Sequence, residues 1–401
     1  MYFFEWGSWQ AKLETAEARK NDLPLEKIYA CDDEKEQAAT RLSVSQTAKS
    51  RGPVYLFNDC ILEMRCGILE SKRGLISIFS TAIIIYILKL SYEAIGFATS
   101  MIESISISPS GFYASSLLPI FLFSTIALLT GWLYLKYGFR FTRLEMFTSR
   151  HLLIRFNCKT QQVHLHRPSY CGGIVTLPWR GLTSSGTALN IPAVSPLEVP
   201  LVLCWSSRVT GTLQTELACV GKPTVLQSEI RDEWEFIRRF MDEGPQGLPR
   251  PHITSHFPWP WQAFTPQFEG LEKYFRGASI KIKIGLILIS PAFLILGMGH
   301  WLSLMLCWKP RWPKIIRQAG MPGKPVPALT TLADYPAHTQ QRLRENAHLW
   351  QVHPGSPPEK KPPKKRERRI NAKPELEYSA PITPCSNAES SASADRTHES
   401  N

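Results

Sequence analysis

Two nearly uncharged runs constrain this chain more than anything else in it. The first is Gly74 to Gly96 (GLISIFSTAIIIYILKLSYEAIG) and the second is Phe112 to Tyr134 (FYASSLLPIFLFSTIALLTGWLY). Each matches the ~20 apolar residues that a helix needs to cross a bilayer. The segment between them, 99–111, holds one Glu and no Lys or Arg. Lys72 and Arg73 precede the first run, and Lys136, Arg140, Arg143 and Arg150 follow the second. Short loops rich in Lys and Arg stay on the cytoplasmic side. The pattern therefore predicts a helical hairpin over 71–136, with both flanks inside and 99–111 outside. Lys89 and Glu93, four apart near the outer end of the first run, read as an interfacial pair rather than an ion pathway.

Charge is unevenly spread along the rest. Of a formal net charge of +12, +7 lies beyond residue 308, where sixteen Lys and Arg face nine Asp and Glu. Basic charge beside membrane segments serves orientation and draws anionic lipid. Without aromatic interleaving or a DNA-binding motif it does not point to nucleic acid. Nine cysteines (Cys31, Cys60, Cys66, Cys158, Cys171, Cys204, Cys219, Cys307 and Cys385) are irregularly spaced, form no CxxC and avoid 99–111. They read as small apolar side chains in a reducing compartment. No basic n-region opens the chain, so the first run is expected to act as its own uncleaved insertion signal.

Residues 1–52 form a polar segment that opens with Tyr2, Phe3, Phe4, Trp6 and Trp9. Residues 53–70 change to period-two alternation around Asn58-Asp59, the sign of a bent strand or a hairpin that packs on the domain after the second run. That domain, 140–245, has strand-like stretches at Arg143–Phe147, Leu152–Phe156, Gln162–His166, Ile174–Leu177, Val199–Trp205 and Gly211–Val220. Trp179 reads as an anchor of its core. The last element is Gln227–Met241, where Ile230, Trp234, Ile237 and Met241 recur at helical spacing and Phe240 widens the stripe. Gly244-Pro245 stops it. Short strands closed by one amphipathic helix describe a small β-barrel that resembles the pleckstrin-homology-like domains.

A Pro- and Trp-rich linker, 246–283, carries HFPWPWQAF, a composition suited to the membrane interface. The third apolar run, 284–308, has basic residues on both flanks, so a single span would export the basic tail. The alternatives are one span against that bias, or a re-entrant hairpin broken at Pro291 and Gly297-Met298-Gly299 and packed on the first two helices; a membrane-embedded run with the tail inside is the favoured reading. The tail, 309–401, is basic and Pro- and Ser-rich. Beyond Gly320 it is expected to be disordered, with at most a helical patch around Thr339–Leu349.

Motifs for chemistry are sparse. His164 and His166 share one strand face near Cys158 and Cys171, but HxH without tight ligand pairs is weak zinc spacing, and solvated histidines are expected. There is no GxSxG, HExxH or GxxxxGK[ST]. Asp232, Glu233 and Glu235, with Arg231, Arg238 and Arg239, read as a solvated helix face. The expectation is a non-enzymatic protein with no catalytic, metal or cofactor-binding residues. Its partners would be the bilayer and another protein. Arg140, Arg143, Arg150 and Arg155 are the candidate contacts for anions or lipid.

Four stretches carry a family resemblance: Trp234–Pro245 (WEFIRRFMDEGP), Ile154–Thr160 (IRFNCKT), Leu177–Trp179 (LPW) and Lys309–Pro313 (KPRWP). With the helical hairpin, they resemble a family of proteobacterial inner-membrane proteins known mainly as a domain of unknown function. The resemblance covers about Val54 to Gly320. Cys158 departs from it, standing where an Arg or another polar residue is expected. Members are often encoded near type VI secretion genes and their toxin cargo. The resemblance therefore implies a multi-pass inner-membrane protein, mostly cytoplasmic and accessory to that secretion. The alternatives are an immunity protein against a secreted toxin and an anionic-lipid-sensing module. It supplies no catalytic residues.

Overall fold

Asn58 turns the chain back on itself. Its Oδ1 accepts the N–H groups of Cys60 and Ile61, at 3.1 and 2.7 Å. This local side-chain bonding closes a hairpin of β1 (Val54–Phe57) and β2 (Ile61–Cys66). The computed structural model describes residues 2–14, 41–69, 72–107, 117–187, 194–268 and 275–350. β2 belongs to a barrel whose other strands are far along the chain: β3 (Leu152–Asn157), β4 (Gln162–His166), β5 (Val175–Pro178), β6 (Leu182–Ser184), β7 (Val194–Trp205) and β8 (Glu216–Leu226). All pairs are antiparallel, in the order β5-β4-β3-β2-β8-β7-β6, with β1 beside β2. The barrel is nearly closed. Trp205 spans the gap between β5 and β6, its indole N–H donating to Pro178 O at 2.9 Å.

Alternation decides what faces inward, because successive side chains of a strand point to opposite faces. Leu62, Met64, Leu152, Ile154, Phe156, Val163 and Leu165 enter the core, while Glu63, Arg155, His164 and His166 point outward. α4 (Gln227–Asp242) follows β8 and closes the barrel with Ile230, Trp234, Phe236, Ile237, Phe240 and Met241. α1 (Phe3–Leu13) packs beside it, with Trp9 buried. The stretch Arg143–Phe147, expected as a strand, is instead a series of turns. Glu145 there is wholly buried, and its carboxylate serves a helix end described below, which an extended pairing would not allow. β7 begins earlier than expected, β8 begins later, and β6 was not anticipated because Leu182–Ser184 is too short to show a period.

Among the described residues, three helices are long and apolar enough to cross a membrane: α2 (Leu75–Ile107), α3 (Leu117–Leu133, continuing to Thr142) and α6 (Ile280–Leu306). α2 runs through the sequence expected as an outer loop as far as Ile107, because SMIESISI carries no helix breaker. α3 is prolonged by one wide turn, Tyr134–Gly138. α6 is a single helix that contains Pro291, so of the two alternatives for this run the unbroken helix is the one seen. A proline inside a helix removes one hydrogen bond, and continuity costs less than exposing a broken backbone to lipid. α6 lies close to α2 through glycine: a Cβ at Gly299 would fall 2.6 Å from Gly74 O.

The Pro- and Trp-rich linker contains α5 (Pro260–Phe268), which packs against the second half of α6 with Phe264 at Gly297. After α6, α7 (Lys314–Gln318), an extended stretch and α8 (Ala337–Glu345) continue the fold to Trp350. Disorder was expected from Gly320, and it does not hold for 321–350. These residues bury Leu332, Leu343, Ala347 and Trp350 against the barrel side of the molecule. Such scattered apolar residues have no period to announce them. The expectation for 351–401 lies outside the described residues.

Candidate functional site

The closing helix carries four of the expected anchors. Ile230, Trp234, Ile237 and Met241 are all buried, and Trp179 stacks on Trp234 with ring centroids 5.6 Å apart. The opposite face of α4 is not solvated as expected. Residues 43–50 lie over it: Ser45 and Thr47 hydroxyls donate to Asp232, and the Ser43 hydroxyl and Val44 N–H donate to Glu235. Burial alone would raise the Glu235 carboxyl. Hydrogen bonds from Arg238, Arg239, Ser43 and Val44 override it and hold the group at about 2. Glu233 is the reverse case. It is wholly buried against Gly221, and burial pushes its carboxyl up to about 8, with Arg51 only partly opposing.

The barrel and the apolar helices meet at one polar junction. The Glu145 carboxylate accepts the N–H groups of Gly74 (3.1 Å) and Ser77 (2.9 Å) and the Ser77 hydroxyl (2.8 Å). It caps the start of α2, where free N–H groups favour an anion. Arg150 does the converse at the end of α6. It donates to Leu304 O and Cys307 O, both at 2.9 Å, and to His256 O at 2.6 Å. Arg73 ties the two together, donating to Arg150 O, Glu145 O, the Ser303 hydroxyl and Cys307 Sγ.

This divides the four arginines proposed for lipid or anion contact. Arg140 and Arg143 are exposed just past the wide turn of α3. Arg150 is consumed as a helix cap. Arg155 is 6% exposed and grips Glu63 through Nε and Nη2, at 2.9 and 2.6 Å. The expectation of a lipid contact at Arg150 and Arg155 therefore fails, because each finds a partner inside the protein.

Glu63 and Arg155 belong to a polar outer face of the barrel that the chain beyond α6 covers. Trp312 donates to Glu63 at 2.8 Å and stacks under Arg155. Asn157 donates to Ala319 O, Gln162 donates to Pro327 O, and Thr176 and Thr330 exchange bonds. His164 and His166 lie under this cover rather than in solvent. His164 contacts the Thr176 hydroxyl and His166 contacts Arg311 O. Burial, reinforced by Arg155, lowers His164 to about 3. Among the described residues no group of three or more His, Cys, Asp or Glu is arranged to hold a metal ion.

Under α1 lies a cavity of about 40 Å³, walled by Phe4, Glu5, Ser8, Trp9 and Lys12 on one side and by barrel residues on the other. At its edge Glu216, fully buried, accepts from Arg167 (2.9 Å) and Gln214 (3.0 Å), with Lys12 Nζ 3.7 Å away. Burial would raise the Glu216 carboxyl, but the charges of Arg167 and Lys12 lower it. Cys171 and Cys219 also line the cavity, and burial raises both thiols to about 12, which leaves them unreactive. Cys204 is disulfide-bonded. The expectation of free, reduced cysteines fails there.

Glu63, Arg73, Glu145, Lys12, Arg167 and Glu216 escaped the sequence reading. The one available signal was a charged residue at an alternating or pre-helix position, which in one dimension looks like ordinary surface.

A family model described as a family of unknown function, DUF6708, matches residues 131–321. That span takes in the end of α3, β3 to β8, α4, α5, α6 and α7. It leaves out β1, β2 and α2, although β2 joins β3 to β8. No curated protein and no solved structure matches the chain.

Proposed function

We propose that this chain is a non-enzymatic, multi-pass protein of the bacterial inner membrane whose β-barrel is a pleckstrin-homology-like module that binds a protein partner. The observation that carries this is the junction. Glu145 and Arg150, both from the barrel's approach to β3, cap the start of α2 and the end of α6. A barrel fixed to apolar helices in this way presents one set face at the membrane surface. The strand order supports the pleckstrin-homology-like reading. Counted from β2, seven strands follow one another with the first beside the last, and a helix follows the last strand. The helical pair α2–α3 is then an insertion between the first two strands.

The same caps support a topology. The start of α2 and the end of α6 share the barrel's side. α6 has 27 residues, about 40 Å at ~1.5 Å per residue, against a hydrocarbon core of ~30 Å. Its Ser279 end then lies on the far side, carrying Arg276, Lys281 and Lys283 there against the charge bias, while the basic tail stays with the barrel, in line with it. Cysteine labelling of intact cells tests this, with single cysteines placed at Ser50 and Ser279. Labelling of Ser279 alone is expected. Labelling of Ser50 alone would reverse the orientation. Labelling of neither or both would remove the spanning role of α6.

The partner follows from the family resemblance: accessory to type VI secretion first, and immunity to a secreted toxin second. Deleting the gene and competing the strain against its parent separates them. Loss of attack with intact resistance supports the accessory role. Loss of resistance to siblings supports immunity. Anionic-lipid sensing is the further reading, favoured by exposed Arg140 and Arg143 beside Lys136, which lies over the rings of Trp132 and Tyr137. Pull-down in mild detergent decides: a co-purifying protein supports the partner reading, and retained anionic lipid alone supports sensing.

A further inference from the structure

We propose that the cavity beneath α1 binds a small oxyanion, a carboxylate- or phosphate-sized group, through the unused fork of the Arg167 guanidinium. Arg167 gives only Nη1 to Glu216, at 2.9 Å. Its Nε and Nη2 are buried and have no hydrogen-bond partner among the described residues, and its side chain is 9% exposed. These two N–H groups are parallel and match the two oxygens of a carboxylate or phosphate edge-on. The same molecule shows these two donors converging on a carboxylate: Arg155 Nε and Nη2 both donate to Oε2 of Glu63.

Lys12 and Arg167 share the carboxylate of Glu216, and the carboxylate of Glu5, turned to the Ile68 N–H at 3.2 Å, also lines the cavity. These formal charges balance, so an anion would be held by the open hydrogen bonds of the Arg167 fork rather than by an excess of charge. The backbone makes room for the fork. Gly172, at φ +97°, leaves Arg167 Nη2 and the Trp9 ring each 3.1 Å from where a Cβ would stand. About 40 Å³ holds about three or four waters at roughly 10–15 Å³ each, enough for a carboxylate or phosphate group. The apolar walls, Leu152, Leu165 and Ala218, offer no competing hydrogen bonds.

The test is thermal unfolding of the full chain in detergent, titrated with sodium acetate or sodium phosphate against sodium chloride at matched ionic strength. A saturable rise in Tm with acetate or phosphate, absent in chloride, is expected. Arg167→Lys keeps a cation beside Glu216 but loses the fork, and should weaken the response about tenfold or more. Ser8→Leu, on α1, should fill the cavity without touching the ion pair and abolish the response. If Arg167→Lys does not fold, Ser8→Leu decides alone. No saturable rise in the wild type means that water satisfies the fork and overturns the proposal. A rise of equal size in Ser8→Leu places the anion elsewhere and overturns it as well. Neither result depends on the membrane topology or the protein partner.

Discussion

Glu145→Ala should loosen the barrel from its helices, and the size of the effect can be worked out. The wild-type carboxylate accepts three hydrogen bonds at 2.8–3.1 Å, two from backbone N–H groups, in a site with no solvent exposure. A buried donor left without a partner costs about 1–3 kcal/mol. The Ser77 hydroxyl can rotate to a new acceptor, so the two backbone donors set the scale, roughly 2–6 kcal/mol. Loss of the anion at the helix start adds up to ~2 kcal/mol. A total of about 2–8 kcal/mol is a large part of the ~5–15 kcal/mol of a folded domain. Glu145→Gln keeps an acceptor in place and should lose about 1 kcal/mol, chiefly the charge term. The assay is resistance of the detergent-solubilised chain to limited proteolysis, with thermal unfolding followed by tryptophan fluorescence. The order wild type, Gln, Ala is expected. Equal behaviour of the Ala variant and the wild type would refute the capping argument.

Trp234→Ala removes a fully buried side chain that stacks on Trp179 and should cost about 3–5 kcal/mol, read as early proteolysis of the barrel; unchanged resistance would exclude the packing. Arg238, read from sequence as part of a solvated face, is 8% exposed and bonded to buried Glu235, so Arg238→Ala should give a measurable loss of stability. Glu233 gives a pH signature. Its folded value of about 8 lies above the ordinary carboxyl value, so the unfolded chain ionises first and stability falls as pH rises from about 4.5 to 8. Glu233→Gln should match the wild type near pH 4 and exceed it near pH 8.5, and a difference that stays flat with pH would sink the assignment. A chain ending at Gly320 should unfold at lower temperature than one ending at Trp350, because it uncovers Trp9, which stacks on Tyr335; equal Tm values would mean that 321–350 add nothing.

The apolar runs, the strand alternation and the α4 stripe were legible because each is a periodic or uninterrupted pattern within one stretch of chain. Burial follows directly from such patterns: Ile230, Trp234, Ile237 and Met241 needed only a 3.6-residue spacing to be placed. The hairpin at 53–70 showed itself through Asn58 and period-two alternation. What the local pattern could not supply was pairing over distance. Glu145 reads as one acid in a basic flank until the fold sets it at the start of α2, seventy residues earlier. Arg150 and Arg155 read as free surface cations until one meets the end of α6 and the other meets Glu63. Pro291 and Gly299 read as helix breakers, yet Gly299 is the point where α6 touches α2. Chain spacing fixes which face of an element is apolar. The partner of a buried charge is chosen by elements brought together from across the sequence, so the caps, the covered histidines and the open fork of Arg167 belong to the tertiary structure alone.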